Sequence, residues 1–222
     1  MEIKTKGIVL RSFRKGENDN ISVIFTREAG KLLASSKGTS KPGGKLRPSL
    51  EKCSLSDFSF TKKNKGSEFC SLVSAKIITQ FEGLRSSPAG LGFSMQAIEL
   101  LDRFLELEGP EAGLFDMTED VFMAASNAKP GQTGALRAYF KVNLLKLLGF
   151  DILKLPGYID GKSAPRAVLD GIKAAGEAGS TDEAAAISGP MRGINGFIDS
   201  YIVNVLGREV LSLRLPEVFF DG

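Results

Sequence analysis

The sequence has no histidine anywhere and only 2 cysteines among 222 residues. The missing imidazole removes the commonest general base, the usual partner of a serine or cysteine nucleophile, and the commonest zinc ligand. Cys53 and Cys70 are too few and too far apart for a disulfide framework or a four-thiolate metal site, so both are expected buried and reduced. No apolar run approaches the roughly 18 residues needed to cross a bilayer, and MEIKTKGIVL lacks the apolar core of a secretory signal. Those absences set the expectation of a cytoplasmic protein with no membrane contact. The usual motifs of catalysis are also lacking. Neither GxSxG, HExxH nor GxGxxG occurs, and Gly161-Lys162-Ser163 fails as a phosphate loop because position 156, where that motif needs glycine, is proline. The acidic pairs Glu119-Asp120 and Asp182-Glu183 each fit a helix start, where carboxylates suit the positive end of the dipole. No enzyme activity and no cofactor are therefore expected.

Hydrophobic residues make up 42 % of the chain, enough for a sizeable core. The net charge of +3 conceals a strong segregation. Residues 1–80 hold 12 lysines and 4 arginines against 7 carboxylates, a surplus of 9, whereas the remainder holds 13 basic and 19 acidic residues, a deficit of 6. Such asymmetry points to two domains, 1–80 and 81–222, the first with the potential of a polyanion binder.

Period-two patterning organises the first of these. Ile8 and Leu10 alternate with Val9 and Arg11, and Ile21, Val23 and Phe25 alternate with Ser22, Ile24 and Thr26, as strands with one well-buried face do. Glu28-Ala29-Gly30 offers a tight connection with glycine where a positive φ is wanted, so Lys31–Lys37 should return antiparallel. Leu55–Thr61 and Phe69–Ala75 complete five strands. The loop GTSKPGGKLRP carries Lys41, Lys45 and Arg47 on a glycine-rich backbone, and the hairpin KKNKGS carries Lys62, Lys63 and Lys65. With Arg11, Arg14 and Lys37 these are the candidate nucleic-acid-binding residues, since cations on flexible backbone follow phosphates without reading bases. Phe58 and Phe60 share one strand face and are expected in the core ahead of stacking on bases. Phe13, between Arg11 and Arg14, is the better candidate for an exposed stacker.

The succession IVLRSFRKGENDN, then FTREAGK, then SKG leading into a basic loop, resembles the N-terminal domain of the RecO family, bacterial recombination mediators of DNA repair. The resemblance implies an α+β protein, a five-stranded OB-fold barrel followed by an all-helical domain. It also implies a non-catalytic role: binding single- and double-stranded DNA, annealing strands, and helping to load RecA onto strands coated by single-stranded-DNA-binding protein, with RecR as a second partner. An RNA-directed OB module of translation or tRNA handling is the alternative reading of the same barrel.

Beyond GLRSSPAGLG the period changes to 3.6. Helices are expected over 94–108, from Thr118, over 133–148 with Gly149 as its stop, from a Ser180–Glu183 capping box, and over 194–205 up to Gly207. Asp102, Glu106 and Glu108 read as a solvated face of the first. The text ALRAYFKVNLLKLLGF resembles the central helix of RecO helical domains, which bind the acidic, apolar C-terminal tail of single-stranded-DNA-binding protein. That implies a groove with a cation at its mouth, for which Arg137 and then Lys141 are the candidates. Many family members carry a four-cysteine zinc site just after this helix. Residues 155–166 contain neither cysteine nor histidine, so no metal is expected there and a compact turn should replace it.

Overall fold

The computed structural model describes residues 1–15, 19–37, 46–64, 66–150, 152–154, 158–159 and 162–215. They form two compact units, residues 1–81 together with 98–116, and residues 82–97 together with 117–222. Among the described residues no helix is long and apolar enough to cross a membrane.

Five strands build the first unit: β1 (Glu2–Lys15), β2 (Asp19–Thr26), β3 (Gly30–Ser36), β4 (Leu55–Thr61) and β5 (Phe69–Thr79). They close in the order β1-β2-β3-β5-β4. This is the OB-fold, with β3 and β5 the one parallel pair. Closure depends on the length of β1, whose N-terminal half pairs with β4 and whose C-terminal half pairs with β2. Gly7 lies at a close approach inside the wall, since a Cβ there would come within 2.7 Å of Ile24 Cγ2. Val9, Ile24, Leu32, Ala34, Phe58, Phe60 and Cys70 fill the interior, and Leu50, at the end of a 3-10 turn, joins them. The Phe58 and Phe60 rings stack on each other at 5.5 Å, so both belong to the core.

Two features differ from the alternation read in the sequence. First, β2 is buried on both faces, not one. Ile24 faces the barrel interior, while Phe25 turns outward and meets Phe115 edge-on at 5.3 Å. Residues 98–116 cover that outer face. Second, the register of β1 against β2 slips between Val9 and Arg11. A bulge reverses which side chains face inward. Ser12 thus pairs inward with Ser22, their hydroxyls 2.8 Å apart, and Arg11 and Phe13 are left on the outer surface. Gly30 makes the β2–β3 turn at φ +69, as expected of that glycine.

Helices α1 (Glu82–Ser86), α2 (Pro88–Phe104), α3 (Ala112–Ser126), α4 (Gln132–Leu147), α5 (Arg166–Glu177), α6 (Thr181–Ala185) and α7 (Met191–Leu206) follow. Phe93, Phe122 and Phe140 form an aromatic cluster in the second unit, with Phe93 5.8 Å from each of the other two. The Ser180 cap is present: its hydroxyl accepts from the Glu183 N–H, and Glu183 accepts from the Gly179 N–H at 2.8 Å. Gly207 stops α7 at φ 61 and Gly149 follows α4 at φ 84. Helix α2 begins six residues before the expected start and ends at Phe104, and α3 begins at Ala112, so Glu119 and Asp120 lie inside a helix and Thr118 is buried. Residues 158–159 and 162–163 pair as a two-stranded hairpin, β6 and β7, in the segment expected to be a compact turn. Helix α5 had no counterpart in the sequence reading.

Candidate nucleic-acid interface

Some of the barrel's cations lie against carboxylates and others are exposed, Lys4, Lys52 and Lys76 among the latter. Residues 98–116 bring six carboxylates and a single arginine into the first unit. Asp102 accepts from Arg11 Nε at 2.7 Å, and Lys31 Nζ donates to its backbone oxygen at 2.6 Å. Glu108 pairs with Lys62, which is only 7 % exposed, and its N–H donates to the Lys31 carbonyl at 3.0 Å. Asp116 takes a forked pair of bonds from Arg27, at 2.6 and 2.8 Å. That hydrogen bonding holds the Asp116 carboxyl below its usual range and raises the Arg27 guanidinium above its own. Asp102 and Glu108, read as part of a solvated face, thus form with Asp116 an acidic strap over the barrel, while Glu106 is exposed as expected. Lys62, expected on an open hairpin tip, is instead enclosed and neutralised, because it points back from β4 to Glu108 and not outward with Lys63.

Arg14, Lys15, Lys37, Arg47 and Lys63 are also exposed. Arg14 pairs across β2 with Asn20, and Asn20 with Ser36, so the ends of three neighbouring strands place Arg14 and Lys37 at one end of the barrel. Lys15 Nζ lies 5.0 Å from the Phe69 ring centroid, joining the β1–β2 hairpin to the start of β5. Phe13 is 45 % exposed, with the Arg11 guanidinium 5.7 Å from its ring. Lys41, Lys45 and Lys65 lie outside the described residues. Lys15 and Phe69 were not among the residues singled out from the sequence, although Lys15 continues the outward alternation of Arg11 and Phe13.

In the second unit, α4 and α7 are joined by a buried polar cluster. Arg137, 6 % exposed, donates from Nε to Asn195 Oδ1 at 3.0 Å. Lys141 is fully buried and reaches both Asp199 Oδ1 at 2.5 Å and the Asn195 carbonyl at 3.2 Å. Burial outweighs the attraction of Asp199 and lowers the Lys141 pKa to about 7. The mouth of an open groove is therefore not where the structure puts Lys141, because helical spacing fixed its position on α4 but not which neighbour covers that face.

Both cysteines are buried thiols, and burial pushes Cys70 up to about 11. Among the described residues no group of three or more His, Cys, Asp or Glu is arranged to hold a metal.

A closed five-stranded barrel with exposed cations, followed by a set of helices, places the chain in the OB-fold class, whose barrels serve nucleic acids and oligosaccharides in many proteins. Residues 1–81 match the family model described as "Recombination protein O N terminal", and the chain is similar to proteins of the RecO family. It is 28 % identical over 149 residues to the DNA repair protein RecO of Geobacter metallireducens, covering 67 % of this chain and 59 % of that one. Similar figures hold for the proteins of the same name from Caldicellulosiruptor saccharolyticus, 30 % over 149 residues with 67 % and 59 % covered, and from Chloroherpeton thalassium, 29 % over 166 residues with 75 % and 63 % covered. The chain spans 59 % of the length of the first of these relatives.

Proposed function

We propose that this protein binds DNA and anneals complementary strands in recombinational repair, without catalysis. The observation that carries the reading is the exposure of the barrel cations Arg14, Lys15, Lys37, Arg47 and Lys63, with Arg14, Lys15 and Lys37 at the strand ends that follow the exposed Phe13. Cations there would screen the repulsion between two phosphate backbones while the bases stay accessible, and so lower the barrier to pairing. Lys41, Lys45 and Lys65 belong to the same proposal by their place in the chain. Residues 1–80 would carry DNA affinity, and residues 81–222 would carry protein contacts on the bacterial nucleoid.

Similarity to RecO proteins supports the partners: the acidic tail of single-stranded-DNA-binding protein for recruitment, RecR as co-mediator, and RecA loading as the outcome. Arg137 and Lys141 enter this proposal as the cations that hold α4 against α7 beneath any tail-binding surface, so Arg137→Ala should weaken tail binding and stability together. The test of the main reading is annealing of complementary fluorescent DNA strands with and without single-stranded-DNA-binding protein. Acceleration in both conditions is expected. Binding confined to RNA would favour a translation module, and metal-dependent loss of substrate would favour a nuclease.

A further inference from the structure

The two cation-capped rings at the uncovered end of the barrel have a geometry that phosphate binding alone does not call for. Phe13 stands on the outer face because of the β1 bulge, at the cost of leaving an aromatic side chain in water. Phe13 is 45 % exposed, so a base laid on it would contribute a share of the about 1.5–3 kcal/mol that full burial of such a ring supplies. Its rung runs Phe13, Ile21, Ser35, Ser71 across β1, β2, β3 and β5. The adjacent rung runs Arg11, Val23, Leu33, Phe69. Cys70, paired with Ala34, faces the interior, so Phe69 and Leu33 face outward like Phe13. Strand spacing puts the two rings roughly 15 Å apart, with the buried Ile21 and Val23 and the half-buried Leu33 and Ser35 between them. A cation attends each ring: Arg11, itself anchored by Asp102, at Phe13, and Lys15 at Phe69.

We propose that Phe13 and Phe69 form a two-platform base-stacking subsite, so that the ligand of this barrel end is a single strand with its bases turned toward the protein, not a duplex gripped by its phosphates. This deepens the nucleic-acid reading above and rests on it. The separation of the rings selects two bases a few nucleotides apart, while Lys37, on the outward alternation of Leu33 and Ser35, is available to the intervening phosphates. Stacking on a ring face is tolerant of base identity, because every base has one, so the subsite discriminates single from double strands and not one sequence from another. An annealing protein that holds bases by stacking keeps their pairing edges free.

The test uses the full chain, a 20-nucleotide oligothymidine, an abasic strand of equal length and a duplex, each titrated by fluorescence anisotropy. Phe13→Ala should lower oligothymidine affinity about 5- to 100-fold, the range expected for losing one stacked base. The abasic strand should bind the variant as it binds the wild type, the salt slope should not change, and Phe13→Tyr should restore binding. Phe69→Leu, which keeps an apolar side chain on the half-buried strand but removes the ring, should give a further loss. Equal wild-type affinity for oligothymidine and abasic strands, or Phe13→Ala within twofold of wild type, would overturn the subsite while leaving a phosphate-binding barrel intact. Failure of the wild type to bind either strand would remove the nucleic-acid reading itself.

Discussion

Lys141 shows what one buried charge does to the pH dependence of a whole unit. Its pKa falls from 10.5 unfolded to about 7 folded, because burial opposes the charge more than Asp199 favours it. Below about pH 7 the lysine is charged in both states, and folding bears the full desolvation cost. Between about 7 and 10.5 the unfolded chain holds a proton that the folded chain has released, so stability rises with pH across that window and gains nothing above it. Lys141→Met lacks this titration. Urea unfolding should show the wild type gaining on the variant by about 2 kcal/mol or more from pH 7 to pH 10, at about 1.36 kcal/mol per pKa unit. Parallel profiles would mean that the lysine keeps its proton throughout. Gly30 is the second single-residue test. Its φ is +69, and a Cβ there would sit 2.3 Å from the Gly109 carbonyl oxygen. Gly30→Ala should cost more than about 2 kcal/mol. Asn tolerates the backbone angle but carries the same Cβ, so Gly30→Asn should be no better. A rescue by Asn would assign the cost to the angle alone.

At the scale of elements, the acidic strap decides which part of the barrel is left for a polyanion. Asp102 holds Arg11 and Lys31 together, and Arg11 is half exposed, so the pair is screened and the stability at stake is modest. Asp102→Asn preserves shape and removes the charge. Single-strand affinity should then rise a few-fold, and the salt slope should steepen by about 0.7 for each additional phosphate engaged, with Tm slightly lowered. An unchanged affinity would place Arg11 outside the binding path. Inside the barrel the expected result is different in kind. Phe60 is fully buried, and Phe60→Ala should cost about 3–5 kcal/mol in urea unfolding, through the cavity it leaves. A loss of DNA affinity without that loss of stability would contradict its place in the core.

For the whole molecule, the charge surplus of the first 80 residues becomes a statement about salt. If about 4 to 6 phosphates are neutralised on a single strand, log K against log salt should have a slope of about −3 to −4. Replacing Arg14, Lys37, Arg47 and Lys63 together by alanine should flatten that slope. Lys62→Ala should leave it alone and lower stability, since Glu108 already neutralises that lysine. A slope that responds to Lys62 and not to the other four would move the interface to the surface around Lys62 and Glu108.

What the sequence by itself determined is whatever depends on neighbours along the chain. Alternation and a glycine turn placed all five strands; the Ser180 cap, the Gly149 and Gly207 stops and the 3.6-residue stripes placed α4, α6 and α7 within a few residues. Each is a local preference of backbone or side chain, and no long-range contact opposed it. The start of α3 at Ala112 escaped because no capping residue marks it. The start of α2, where Ser87 Oγ accepts from the Gly90 N–H ahead of Pro88, and the β6–β7 hairpin with its Asp160-Gly161 pair carry local signals that a glycine-rich stretch and two-residue strands made hard to read. The site divided along the same line. Lysine and arginine positions were legible, and so was the preference of Phe13 for the surface over Phe58 and Phe60. Only the tertiary structure decided which cations are available, because Asp102, Glu108 and Asp116 are distant in sequence from Arg11, Lys31, Lys62 and Arg27 and meet them through the packing of residues 98–116 on the barrel. The same holds for Lys141. Its place on α4 was readable, whereas its burial beside Asn195 and Asp199 depends on how α7 packs, and it is that packing which sets the charge it carries.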